Sequence, residues 1–173
     1  MFSTDEGKHW DVMNIKLTPE QQEDAVWDEW DLAELPKGEF LAVFRRGDPG
    51  GEKGKPKEAR WQGIFRKHGD SWSLDDYHRA PFPHSGHPEL LATKEGLVLH
   101  LATSGAHWTL DQGKHWHPLE FSGLKNPYRT HYYPRSVQSK DGQIFVISHS
   151  GADDSYGKVD QAIVMDTFRL VRM

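Results

Sequence analysis

Three stretches of the chain share one pattern: a polar residue and a glycine, then an unbroken or alternating run of apolar side chains. They are Leu35-Pro36-Lys37-Gly38-Glu39-Phe40-Leu41-Ala42-Val43-Phe44, Thr93-Lys94-Glu95-Gly96-Leu97-Val98-Leu99-His100-Leu101 and Ser139-Lys140-Asp141-Gly142-Gln143-Ile144-Phe145-Val146-Ile147. A polar residue and Gly ahead of a β-branched or aromatic run predicts a β-hairpin. The segment from Gly47 to Lys57 is polar and rich in Gly and Pro, which predicts an inserted loop. Residues 18–26 begin Thr18-Pro19-Glu20, with proline at the first helical position, and predict a short helix.

A second pattern runs out of phase with the first. Ser3-Thr4-Asp5-Glu6-Gly7-Lys8-His9-Trp10 returns as Thr109-Leu110-Asp111-Gln112-Gly113-Lys114-His115-Trp116. A worn copy, Phe65-Arg66-Lys67-His68-Gly69-Asp70-Ser71-Trp72, keeps only the Gly and Trp positions. Each element of the octapeptide suits a tight turn: hydroxyl and carboxylate oxygens accept backbone N–H bonds, Gly tolerates positive φ, and Trp anchors the loop. The hairpin glycines fall at 38, 96 and 142 and the octapeptide glycines at 7, 69 and 113. Two unrelated motifs thus report one repeat of roughly 45–60 residues. Trp10, Trp72 and Trp116 are expected to pack between strands, and Asp5 and Asp111 to bond to backbone inside their own loops. Lys8, His9, Lys114 and His115 read as surface decoration.

The octapeptide resembles the Asp box of sialidases and related β-propellers, the bacterial neuraminidase (BNR) repeat. The resemblance implies an all-β chain, a partial six-bladed sialidase-like β-propeller with about three four-stranded antiparallel blades, in one domain over residues 1–173. Residues 1–17 would be the end of one blade, and 27–77, 88–121 and 135–173 the blades that follow, the last without an Asp box. Strands of the first complete blade are expected near 28–35, 39–46, 58–66 and 71–77. Beginning inside a box, the chain reads as a portion of a longer propeller; a pair of chains closing one ring, or an unusually small propeller, are the other ways to accommodate it.

Composition narrows the partners. The net charge of −5 includes no dominant basic stripe, which argues against a nucleic-acid surface. There are no cysteines, so disulfides and thiolate metal sites are excluded. No apolar stretch nears the roughly 20 residues of a membrane-spanning helix. No signal segment opens the sequence, and the compartment is left open. His78, His84 and His87 lie near one another in sequence but form no metal-ligand spacing, so neither metal nor cofactor is expected.

In the family the boxes lie on the face opposite the substrate site, which makes Ser3, Asp5, Gly7, Trp10, Thr109, Asp111, Gly113 and Trp116 structural. The opposite face would gather Arg45, Arg46 and Asp48, His149 to Asp154, Arg79, Arg129 and Arg135. Arg forks bind carboxylates bidentately, which suits a sialylated or otherwise anionic glycan. Equally, arginines and tyrosines at strand ends can pair with acids and bind no ligand. The resemblance puts Tyr133 near the position of the family's tyrosine nucleophile, an exception to the two-carboxylate scheme of glycoside hydrolysis. His149 stands where the family has the partnering Glu, as a candidate base. The family's first arginine and its acid/base Asp have no counterpart here, and no arginine lies near His100 to complete a triad. The resemblance therefore implies a sialidase-like glycoside hydrolase, with a non-catalytic propeller that binds glycan or protein as the alternative.

Overall fold

The computed structural model describes residues 3, 5–24, 27–48, 57–82, 87–123, 125–150 and 162–171. The structure is mostly β. After β1 (Ile15–Lys16) and a single helix α1 (Pro19–Asp24), it forms three meanders. The first holds β2 (Trp27–Glu34), β3 (Phe40–Asp48), β4 (Lys57–His68) and β5 (Ser71–Arg79). The second holds β6 (Glu89–Ala92), β7 (Val98–Leu101), β8 (His107–Thr109) and β9 (His117–Pro118), and the third β10 (Tyr132–Gln138), β11 (Gln143–Ser150) and β12 (Ala162–Arg169). Within each meander, neighbours in sequence pair antiparallel. The expected inserted loop over residues 47–57 falls mostly outside the described residues.

Among the described residues the first sheet holds five strands, the second four and the third three. Ile15 and Lys16 join β5 in parallel, opposite Trp72 and Ser73, so antiparallel pairing is not universal. The cause is apolar alternation: Met13, Ile15 and Leu17 pack on the cluster of Ala42, Phe44, Phe65, Trp72 and Leu74. Helix α1 follows with a reciprocal cap, the Gln21 N–H donating to Thr18 Oγ1 at 3.2 Å and the Thr18 N–H to Gln21 Oε1 at 2.9 Å.

The continuous apolar runs of β3 and β7 are explained by burial on both faces. On β3, Leu41 and Val43 enter a cluster with Leu90, Val98 and Phe82 between the first and second sheets. Ala42 and Phe44 enter the cluster on the other side. On β7, Leu99 and Leu101 meet Ile144 and Val146 of β11 between the second and third sheets. Counted from the hairpin glycines, Leu41/Val43, Leu99/Leu101 and Phe145/Ile147 occupy the same two positions. We call the face they share the forward face.

First strands are linked by a repeated carboxylate latch. Asp31 on β2 accepts the Leu90 N–H of β6 at 2.7 Å. Glu89 on β6 accepts the Ser136 N–H of β10 at 2.6 Å. Asp31, Glu89 and Arg135 each stand at one offset before the hairpin glycine.

The two Asp boxes fold alike. Gly7 and Gly113 both have φ of 84°, and their N–H groups donate to Ser3 Oγ at 2.8 Å and Thr109 Oγ1 at 3.1 Å. The His9 and His115 N–H groups donate to Asp5 and Asp111, each at 2.9 Å. Both imidazoles also bond the same aspartates through Nδ1, so they belong to the boxes and are not mere decoration. The boxes differ at the indole. Trp116 Nε1–H donates to Gln62 Oε1 at 2.8 Å, on the forward face of the first sheet, while Gln62 Nε2 donates to the Gly113 carbonyl at 2.7 Å. Trp10 is 60% exposed, against the expectation that it packs between strands, and its N–H donates within its own box to the Gly7 carbonyl.

Candidate functional site

Strands of a meander alternate in direction, so the starts of β2, β6 and β10 and the end of β11 lie away from the hairpins and boxes. Tyr133 occupies this end. Pairing of β10 with β11 slips between Tyr132 and Arg135, and Tyr133 adopts φ of 47°. The following Pro134 cannot donate to the ladder and disfavours helical φ/ψ in the residue before it. A bulky aromatic in the left-handed region ahead of proline is a genuine outlier, of the kind that gathers at functional sites. The bulge turns Tyr133 outward, leaving it 48% exposed.

Around the phenol stand imidazoles. Tyr133 stacks with His149, ring centroids 5.6 Å apart and 12° between planes, and with His87 at 6.2 Å and 25°. Tyr132 is tilted against His149, ring centroids 5.6 Å apart. His87 Nε2 and His149 Nδ1 are buried and make no hydrogen bond. Burial pushes the His87 pKa down and the Arg135 charge adds to this, outweighing the opposite pull of Glu29 and Asp31. His87 is therefore a neutral imidazole near pH 7, with a ring nitrogen unspent.

The arginines are already engaged. Arg45 pairs with Glu29 at 2.8 Å. Arg135 pairs with Glu89 at 2.8 Å, its own side chain staying largely exposed. Burial raises the Glu89 pKa, opposed by the Ser136 hydroxyl and N–H and by Arg135. Arg79 closes β5 opposite Trp61, and Arg129 is exposed on the connection leading to β10. The Arg46 backbone pairs with Ala59 on β4 and Trp27 on β2. Residues 151–154 and His84 lie outside the described residues.

Sequence reasoning missed the acids. Glu29, Asp31 and Glu89 sit in strands where charge reads as solvent-facing. The signal that would have found two of them is their common offset from the hairpin glycine. Among the described residues no group of three His, Asp or Glu could hold a metal, and no helix is long and apolar enough to cross a membrane.

Chemically, the arrangement offers an aromatic shelf, two imidazoles and one outward guanidinium. Such a shelf suits the face of a sugar ring. The tyrosine and histidine are stacked, and the nearby carboxylates are bound to arginines and backbone. No protein family, curated protein or solved structure matches the chain.

Proposed function

We propose that this chain is part of a sialidase-like Asp-box β-propeller and that it binds a glycan at Tyr133 without hydrolysing it. The propeller reading rests on the boxes, the meanders and the latches that set first strand beside first strand. The binding reading rests on one observation above the others: a strained bulge holds Tyr133 outward against His149 and His87. Backbone strain of this kind costs on the order of 1–3 kcal/mol and needs a compensating reason. Sugar stacking on the exposed part of the phenol, with a charge contact to Arg135, supplies one. Sialylated or otherwise anionic glycans fit best, because Arg135 keeps most of its surface after pairing with Glu89.

Hydrolysis is disfavoured by the same geometry. A phenol of pKa near 10 needs an adjacent base to attack. A carboxylate clamp needs convergent unshared arginines, whereas Arg45 and Arg135 are paired with acids. The test is binding to an immobilised glycan panel by the chain and by Tyr133→Ala. Capture of an anionic glycan that falls at least tenfold in the variant supports the reading. Equal capture by both, or none by either, contradicts it.

A further inference from the structure

The exposed large apolar side chains concentrate at two places. One is the N-terminal box segment, with Trp10 and Val12; the other is the forward face of the third sheet, with Val137, Ile147, Ile163 and Met165. On the first and second sheets the same face is covered: Leu41, Val43, Leu99 and Leu101 have no exposed surface. Part of what covers the first sheet, beside Leu90, Val98 and Phe82, is an Asp box whose Trp116 packs on the same cluster. Gly113 approaches Leu41 and Gln62 so closely that an added Cβ would lie 3.1 and 2.9 Å from their side chains.

We propose that a second copy of this chain packs its N-terminal Asp box on the forward face of the third sheet, Trp10 against Phe145 and Met165. Phe145 stands at the offset of Leu41 from the hairpin glycine, and Met165 faces Ile147 as Gln62 faces Val43. The polarity of the two surfaces matches. Trp116 needs an acceptor for its indole N–H and finds Gln62. Trp10 donates within its own box to the Gly7 carbonyl at 3.0 Å. Its docking partner needs no acceptor, and a thioether, which packs well against aromatic rings, stands where the amide stood. Two copies that each lay the box on the other's face form a closed pair about a twofold axis, in which the Trp10–Met165 contact occurs twice.

Light scattering and sedimentation of the whole chain over a wide concentration range test this, with Trp10→Ala and Met165→Glu beside it. The expected result is a mass above the 19.9 kDa of one chain, with association at least tenfold weaker in either variant. Mixing the variants should restore a dimer, since one keeps the face and the other the box. Trp10 is exposed, so its replacement leaves the thermal melt of the monomer unchanged and serves as the control for folding. A monomer at every concentration, association indifferent to both variants, or a mixture that stays monomeric overturns the proposal. A monomer would leave an Asp-box blade of another chain as the occupant of this face.

Discussion

Within the Asp boxes, the indole is the group whose surroundings decide its worth. Trp116 packs edge-on against Phe82 at 5.2 Å and bonds Gln62, so Trp116→Ala should cost about 3 kcal/mol in chemical denaturation. Trp10→Ala should stay within about 0.5 kcal/mol of the parent in dilute solution, because an exposed side chain loses little contact. Equal losses in the two variants would contradict this division. The titrating residues make a second prediction. His100 is fully buried between the first two sheets against Phe82, with both ring nitrogens unbonded. Burial first, then the charges of Arg60 and His107, depress its pKa well below 6.5. The unfolded chain therefore binds the proton first, and stability falls as pH drops below about 6.5. Asp111 behaves differently. Burial would raise its pKa, but the His115 N–H and ring and the Thr109 hydroxyl hold it down at about 2. Its contribution is present above the unfolded value of 3.8 and is lost as pH falls from there toward 2. Denaturation midpoints measured from pH 7 to pH 2 should show both windows, and His100→Leu should reduce the slope of the upper one, to which His87 and His107 also contribute, and leave the lower one alone. An unchanged slope between pH 6.5 and 5 in that variant would refute the assignment.

At the scale of elements, the latches join the sheets. Glu89 is nearly fully buried and accepts from the Ser136 N–H, the Ser136 hydroxyl and Arg135. Glu89→Ala strands these donors and should destabilise the protein by about 2–3 kcal/mol. Amide exchange at Ser136 should accelerate while exchange at Leu90, latched by Asp31, changes little; equal acceleration at both would argue that the sheets do not separate there. How much of this was legible in the sequence follows from the range over which each feature is decided. The hairpins at Gly38, Gly96 and Gly142 and the capped helix after Thr18 depend on neighbouring residues, and the pattern gave them within a few positions. The parallel docking of Ile15 beside Trp72 depends on a distant apolar face, and no local rule contains it. The strained bulge at Tyr133 lies between: Pro134 restricts the residue before it locally, but the side chains brought together come from β10, β11 and the segment ahead of β6. The resemblance set His149 beside Tyr133 as a candidate base, whereas the ring orientation that stacks the two is fixed by packing.

For the whole molecule, three sheets stacked through two apolar interfaces leave one covered end, where Met13, Ile15 and Leu17 lie, and one exposed end on the third sheet. Tyr133, His87 and His149 sit beside that exposed end, at the strand termini remote from the boxes. Binding of a glycan there would order first-strand termini drawn from the second and third sheets together. The most direct measurement is a nuclear magnetic resonance titration of the labelled chain with a sialylated oligosaccharide, followed for hours at neutral pH. The account predicts shifts confined to Tyr133, His149, His87 and Arg135, with the oligosaccharide recovered intact. Shifts centred elsewhere, no shifts at saturating sugar, or the appearance of released sialic acid would contradict it.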